Sequence, residues 1–182
     1  MDIFIEKIVK RQKTSLDYFY MAGVVLLALV LVSVVLMASA VVPFIEVFRF
    51  LLIAGVIYMT WRLVRRKNIE YEYAVTNGDL DIDIIYDQRS RKRVFSQNCR
   101  EFEILAPYPG QTGLPDLAGR TLERLEAVSS MEAADIYYLI AVQDQKRMLV
   151  FFQPDQRMLD SFKQLAPRKI HIRQPEETAN PA

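Results

Sequence analysis

Three carboxylates, Asp79, Asp81 and Asp83, stand two residues apart, the opening spacing of a calcium-binding loop. Such a loop needs glycine at its sixth position and glutamate at its twelfth, where this chain has Ile84 and Ser90. Alternation with Leu80, Ile82 and Ile84 makes the row the wet side of a strand instead. Nucleophilic catalysis fares no better. The chain has one cysteine, Cys99, and one histidine, His171, far apart in sequence, and no serine stands in a Gly-x-Ser-x-Gly turn. Gly110, Gly113 and Gly119 are too widely spaced for a phosphate-cradling loop. No catalytic, cofactor-binding or metal-ligating residue is therefore assigned, and a non-enzymatic role is expected. A lone cysteine allows no intrachain disulfide, which suits a reducing compartment.

The remaining candidates are basic. Arg89, Arg91, Lys92, Arg93 and Arg100 fall close together, and beside an inner leaflet each basic side chain favours anionic lipid by roughly 1 kcal/mol. A local reading competes: if Asn77-Gly78 is a hairpin turn, Glu72 faces Asp83, and that like-charge pair calls for the cations of Arg91, Lys92 and Arg93. The pairing argument favours the local reading. The soluble part mixes its charges and has no basic stripe with interleaved aromatics, which argues against nucleic acid as a partner.

What must position these residues begins with two oily stretches, Phe19 to Val42 and Phe44 to Val64. Each meets the roughly 20 apolar residues needed to cross a bilayer's hydrocarbon. The 23 basic and 22 acidic residues of the 182-residue chain balance overall but not locally. Lys7, Lys10, Arg11 and Lys13 precede the first stretch and Arg62, Arg65, Arg66 and Lys67 end the second, so the positive-inside rule puts both termini in the cytoplasm. Val42-Pro43 ends one helix and starts the next, giving a tight antiparallel hairpin. Glu46 and Arg49 are spaced to neutralise one another at its outer turn, and Tyr18, Tyr20, Tyr58 and Trp61 fall at its inner ends. Neither span carries the mid-membrane ionisable residue an ion path would need. Ala38-Ser39-Ala40 is a small-x-small triplet of the kind a signal peptidase reads, but the apolar run before it is longer than an ordinary signal core, and sequence leaves its cleavage open.

Residues 1–17 read as a cytoplasmic amphipathic leader. Met1, Phe4, Ile5, Ile8 and Val9 recur at helical spacing, which suits a helix on the inner leaflet or a plain extension of the first span. The hairpin with its flanks occupies 18–67.

From residue 68 the period changes to two. Tyr71, Tyr73 and Val75 lead into Asn77-Gly78, and Leu80, Ile82 and Ile84 follow, the pattern of a two-residue β-hairpin that pairs Val75 with Leu80, Tyr73 with Ile82 and Tyr71 with Ile84. Further strands are expected at Arg91 to Ser96, Glu101 to Leu105, Arg120 to Ser129, Ile136 to Val142 and Met148 to Phe152. The last two are joined by a turn at Asp144 to Lys146. Ala106 to Gly119, rich in proline and glycine, is a long loop whose Tyr108, Leu114 and Leu117 form a candidate docking element. Pro154 opens a helix with Met158, Leu159, Phe162 and Leu165 on one face, and residues 174–182 read as a disordered tail.

About seven antiparallel strands closed by one amphipathic helix resembles the pleckstrin-homology (PH) superfold. With the two-span hairpin in front and the stretch Tyr73-Ala-Val-Thr-Asn-Gly-Asp-Leu-Asp-Ile behind it, the chain is similar to an uncharacterised family of small two-span membrane proteins of Gram-positive, clostridial-type bacteria with a PH-like cytoplasmic domain at 68–173. The resemblance imports no activity. Eukaryotic PH domains that bind phosphoinositides place Lys and Arg around the loop between strands one and two; here that loop is Asn77-Gly78, two residues long and followed by Asp79, Asp81 and Asp83, so the usual site is absent. The sequence thus points to a membrane-anchored interaction module at the inner surface of the cell membrane, its partners the bilayer and a protein or a second copy. The alternatives are an accessory subunit that packs through its spans in a transporter or secretion complex, and an anionic-lipid-binding domain.

Overall fold

The computed structural model describes residues 4–110 and 122–172 and divides the chain into two compact units, Gln12–Ile69 and a β unit made of Met1–Arg11 with Glu70–Ala182. The first is a helical hairpin, α1 (Ser15–Val41) and α2 (Pro43–Arg65), both long and apolar enough to cross a membrane. Thr14 caps α1: its backbone N–H and its hydroxyl both donate to the Asp17 carboxylate, at 3.2 and 3.0 Å. Asp17 is buried and also meets Lys67 Nζ at 3.1 Å, so the start of α1 and the residues after α2 are clamped together. Val42 ends one helix and caps the next, with Pro43 in the first turn of α2, as expected. Arg49 stacks over the Phe50 ring at 4.9 Å instead of pairing with Glu46.

The leader is not a helix. Residues 4–10 form strand β1 (Phe4–Lys10), antiparallel to β2 (Ile69–Thr76) from Phe4↔Thr76 to Lys10↔Glu70. Ile5 and Val9, four apart, share a face in a strand as they would in a helix, and here they are buried beside Val75 and Tyr71. The first sheet has the order β1-β2-β3-β4, with β3 at Asp79–Tyr86 and β4 at Ser90–Asn98. Asn77 and Gly78 turn β2 into β3 with φ of 52° and 95°, the conformation that favours this dipeptide.

Tyr73, Val75, Leu80 and Ile82 are buried as expected, but Ile84 is only half-buried and Ile85 takes its place. The register of β3 on β4 shifts at this point: Ile82 faces Phe95 and Asp83 faces Arg93, leaving Val94 unpaired. Arg91, Arg93 and Phe95 share one parity in sequence, so a regular strand would send all three to one face. The bulge at Val94 lets Phe95 enter the core while Arg91 and Arg93 stay on the Asp83 side.

After a short 3-10 turn at Cys99–Glu101, held by Asn98 accepting from the Arg100 N–H, strand β5 begins at Ile104 rather than Glu101 and runs to Pro107. The second sheet has the order β5-β7-β8-β6, with β6 at Glu123–Glu126, β7 at Tyr137–Gln143 and β8 at Lys146–Phe152. The strands thus number eight among the described residues, and β6 lies parallel to β8. Both faces of β7 and β8 are buried. Leu139, Val150 and Phe152 face the first sheet's core, where Tyr73 meets Phe152 edge-on at 5.7 Å. Tyr138, Ile140, Leu149 and Phe151 form a second cluster with Val128 and Ile136. Helix α3 (Gln156–Leu165) starts at Asp155, whose carboxylate accepts the Met158 N–H at 2.8 Å, so Pro154 precedes the cap instead of opening the helix. Its Phe162 meets Phe102 at 6.0 Å, and Leu105 then pairs with Ile170 beyond the helix.

The β7–β8 turn places non-glycine residues where glycine is favoured: Asp144 and Gln145 have φ of 51° and 64°. Gln145→Gly is expected to stabilise the protein by about 1 kcal/mol, since left-handed backbone costs a side chain roughly that much. A rise in the thermal midpoint of the detergent-solubilised chain checks it.

Candidate functional site

Arg89, Arg91, Lys92, Arg93 and Arg100 do not form one patch. Nine residues of β4 separate the turn carrying Arg89 from the one carrying Arg100, a span of about 30 Å at strand rise. Lys92, opposite Ile84, points away from its neighbours Arg91 and Arg93. Arg93 spans two carboxylates, with Nη1 3.0 Å from Asp81 and Nε 3.0 Å from Asp83. Arg91 Nη2 stands 2.6 Å from Glu72 Oε2, though off the direction of a hydrogen bond, and Arg89 approaches Asp87 at 4.0 Å. Side chains of this strand therefore do balance the acidic face of the hairpin, with Arg91 and Arg93 supplying the charge.

Within that face Glu72 stands out. It is buried, and burial, followed by a hydrogen bond shared with Glu6, pushes its carboxyl above the ordinary carboxylate range, against the opposing pull of Arg91. Asp83 adds further repulsion. A raised folded-state pKa means the fold favours the protonated acid. That contribution is complete at pH below the unfolded value and disappears as pH rises through the folded one. Glu72→Gln, neutral throughout, is expected to gain in thermal midpoint over the parent as pH rises from about 4 to about 7. A difference independent of pH would show that Glu72 does not titrate in the fold.

Cys99 and His171, the two residues weighed for nucleophilic catalysis, sit in different settings. Cys99 is fully buried and burial pushes its thiol up, away from the reactive thiolate. His171 is exposed, and its backbone N–H donates to the Leu105 carbonyl at 2.8 Å. No group of His, Cys, Asp and Glu among the described residues is arranged to hold a metal ion. Of the loop taken as a docking element, Tyr108 is half-buried and packs edge-on against Phe151 at 5.3 Å, so it belongs to the second cluster; Leu114 and Leu117 lie outside the described residues, as does the tail at 174–182.

The feature the sequence concealed is connectivity. Lys10 and Glu70 face one another at the end of adjacent antiparallel strands, where a two-residue turn would suffice, and the whole helical hairpin is inserted between them. A family model described as "Bacterial PH-like domain (DUF6106)" matches residues 1–172, taking in the first strand, both helices and both sheets. The chain belongs to this bacterial PH-like domain family. Neither a curated protein nor a solved structure matches it. In the PH-like domain, then, the loop between strands one and two is the apolar hairpin with its basic flanks, and Asn77-Gly78 joins strands two and three. Counted from β1, the first loop is thus the helical insertion and not Asn77-Gly78, because the first strand precedes the helices.

Proposed function

We propose that this chain is a membrane-anchored, non-enzymatic interaction module: α1 and α2 cross the cell membrane and the PH-like domain is presented on its cytoplasmic side, with both termini inside. The observation that supports it best is the exposure of the helices. Their Leu, Val, Ile and Phe side chains face outward along both spans instead of entering a protein core, an arrangement that suits burial in lipid. Lys13 before α1 and Arg62, Arg65, Arg66 and Lys67 at the end of α2 give the inner end its positive charge. PH-like domains as a class bind lipids or proteins, and docking of a protein partner or a second copy is strengthened by tethering in a shared membrane.

The test is a topology map on the full chain with a tag at each terminus. Both tags should resist protease in whole cells and be cleaved in inverted vesicles, and the chain should stay with membranes in alkaline carbonate. Either tag cleaved in whole cells, or release by carbonate, overturns the reading.

A second reading is favoured by an open apolar groove of about 480 Å³ on the hairpin, lined by residues that include Tyr18, Ala22, Leu26 and Val64. A neighbouring helix seated there would make the protein an accessory subunit of a larger membrane complex. Exchanging the hairpin for an unrelated two-span anchor separates the two: function retained supports the module, and function lost supports the subunit. Anionic-lipid contact through Arg89, Arg91, Lys92, Arg93 and Arg100 is a third reading, in which lipid phosphate competes with Glu72, Asp81, Asp83 and Asp87 for the arginines.

A further inference from the structure

Cations at the inner end of the hairpin differ from those of the sheets. Within the hairpin unit Lys67 is held by Asp17 and lies 4.5 Å from the Tyr20 ring, and Arg65 stacks on Trp61 at 4.3 Å. Arg62 and Arg66 are exposed and have no acidic partner among the described residues. They are four apart, and Arg66 keeps helical backbone angles as the C-cap of α2, so the two guanidinium groups project from one side of the last turn. Like charges at this spacing repel, while the negative end of the helix favours keeping both cations there. An anion bridging them removes the repulsion. Tyr58 and Trp61, rings 6.1 Å apart, sit on the same turns, where amphipathic rings meet headgroups. Lys13, also exposed and without an acidic partner among the described residues, precedes α1 at the end that Asp17 and Lys67 hold together.

We infer that Arg62 and Arg66 form a site for a phosphate monoanion, the phosphodiester of an anionic phospholipid in the inner leaflet, with Lys13 as an auxiliary cation. This rests on the anchoring reading above and moves lipid recognition from the sheet to the helix end. Two guanidinium forks match the paired non-bridging oxygens of a phosphodiester.

The experiment uses the full chain in nanodiscs of mixed phosphatidylglycerol and phosphatidylcholine, with retained lipid counted by native mass spectrometry. The parent should retain phosphatidylglycerol selectively. At roughly 1 kcal/mol per cation, Arg62→Gln with Arg66→Gln should lower that preference by roughly 30-fold. Arg62→Lys with Arg66→Lys, which keeps charge but not the forks, should fall between. Lys163→Gln with Arg168→Gln, two exposed cations of the β unit outside any proposed site, should leave the preference unchanged. Equal retention by the Gln pair and the parent overturns the site, as does an equal loss in the Lys163/Arg168 control. Inorganic phosphate that stabilises the parent in pure phosphatidylcholine discs as much as phosphatidylglycerol does would make the ligand a soluble phosphate and overturn the lipid assignment. A chain that fails to enter nanodiscs and stays soluble sinks the anchoring reading itself, and this site with it.

Discussion

A chain in which Lys10 is joined to Glu70 through Asn-Gly, omitting both helices, is expected to fold as a soluble β domain, whereas a fragment beginning at Asn68 is expected to be unfolded or aggregated. Lys10 and Glu70 are register partners, and a two-residue turn of this composition closes such ends without strain. The shorter fragment lacks β1. It loses the buried Ile5 and Val9, together worth about 3–6 kcal/mol at ~1.5–3 per buried side chain. That is much of the ~5–15 kcal/mol that holds an ordinary domain together. It also bares the edge of β2, with Tyr71, Tyr73 and Val75 along it, to pairing with other chains. Size-exclusion chromatography with urea titration separates the outcomes. A monomeric Asn68 fragment with the same midpoint as the joined chain would show that β1 adds nothing to the fold.

Tyr73→Ala should be the most damaging single substitution, at about 3–5 kcal/mol. The ring is fully buried between the sheets, edge-on to Phe152, and its hydroxyl donates to the Ala127 carbonyl while accepting the Gln153 N–H at 3.4 Å. Burial pushes the phenol far up, so the donor is retained at any physiological pH. Tyr73→Phe isolates the polar part: it keeps the ring contact, leaves a buried carbonyl and a buried N–H without this partner, and should cost about 1–3 kcal/mol. Thermal unfolding of both variants gives the comparison. If Phe and Ala are equally harmful, the hydroxyl bridge dominates; if Phe is neutral, the bridge contributes nothing and packing carries the whole effect.

The parts of this fold that read plainly in the sequence are those fixed by local chemistry. Asn77-Gly78 favours one kind of turn, Val42-Pro43 breaks a helix, and the two long apolar runs on either side of it give the two long helices. The first strand was hidden because Ile5 and Val9 satisfy both periodicities; the β-branched Ile5, Ile8 and Val9 were the signal for extension. Strand β6 is short and largely charged, and it owes its place to a parallel neighbour, β8, that nothing local announces. The charge balance at Glu72 and Asp83 was legible from the hairpin register, yet the bulge that aims Arg91 and Arg93 at them was not, since Val94 looks like any other strand residue. The Asp17–Lys67 clamp had a partial sign in Thr14-x-x-Asp17, a helix-start pattern, but its far partner lies just past the other helix.

Inserting the hairpin between register partners also sets an order of events during synthesis. The opening strand leaves the ribosome first and has nothing to pair with until both helices have been made. Under the anchoring reading, Lys10 and Glu70 come face to face only when the helices have gone out and back. A nascent chain threaded only once strands its first strand on the far side of the bilayer from β2 and leaves β2 without that partner. On that reading, β1 can pair with β2 only when both helices have crossed.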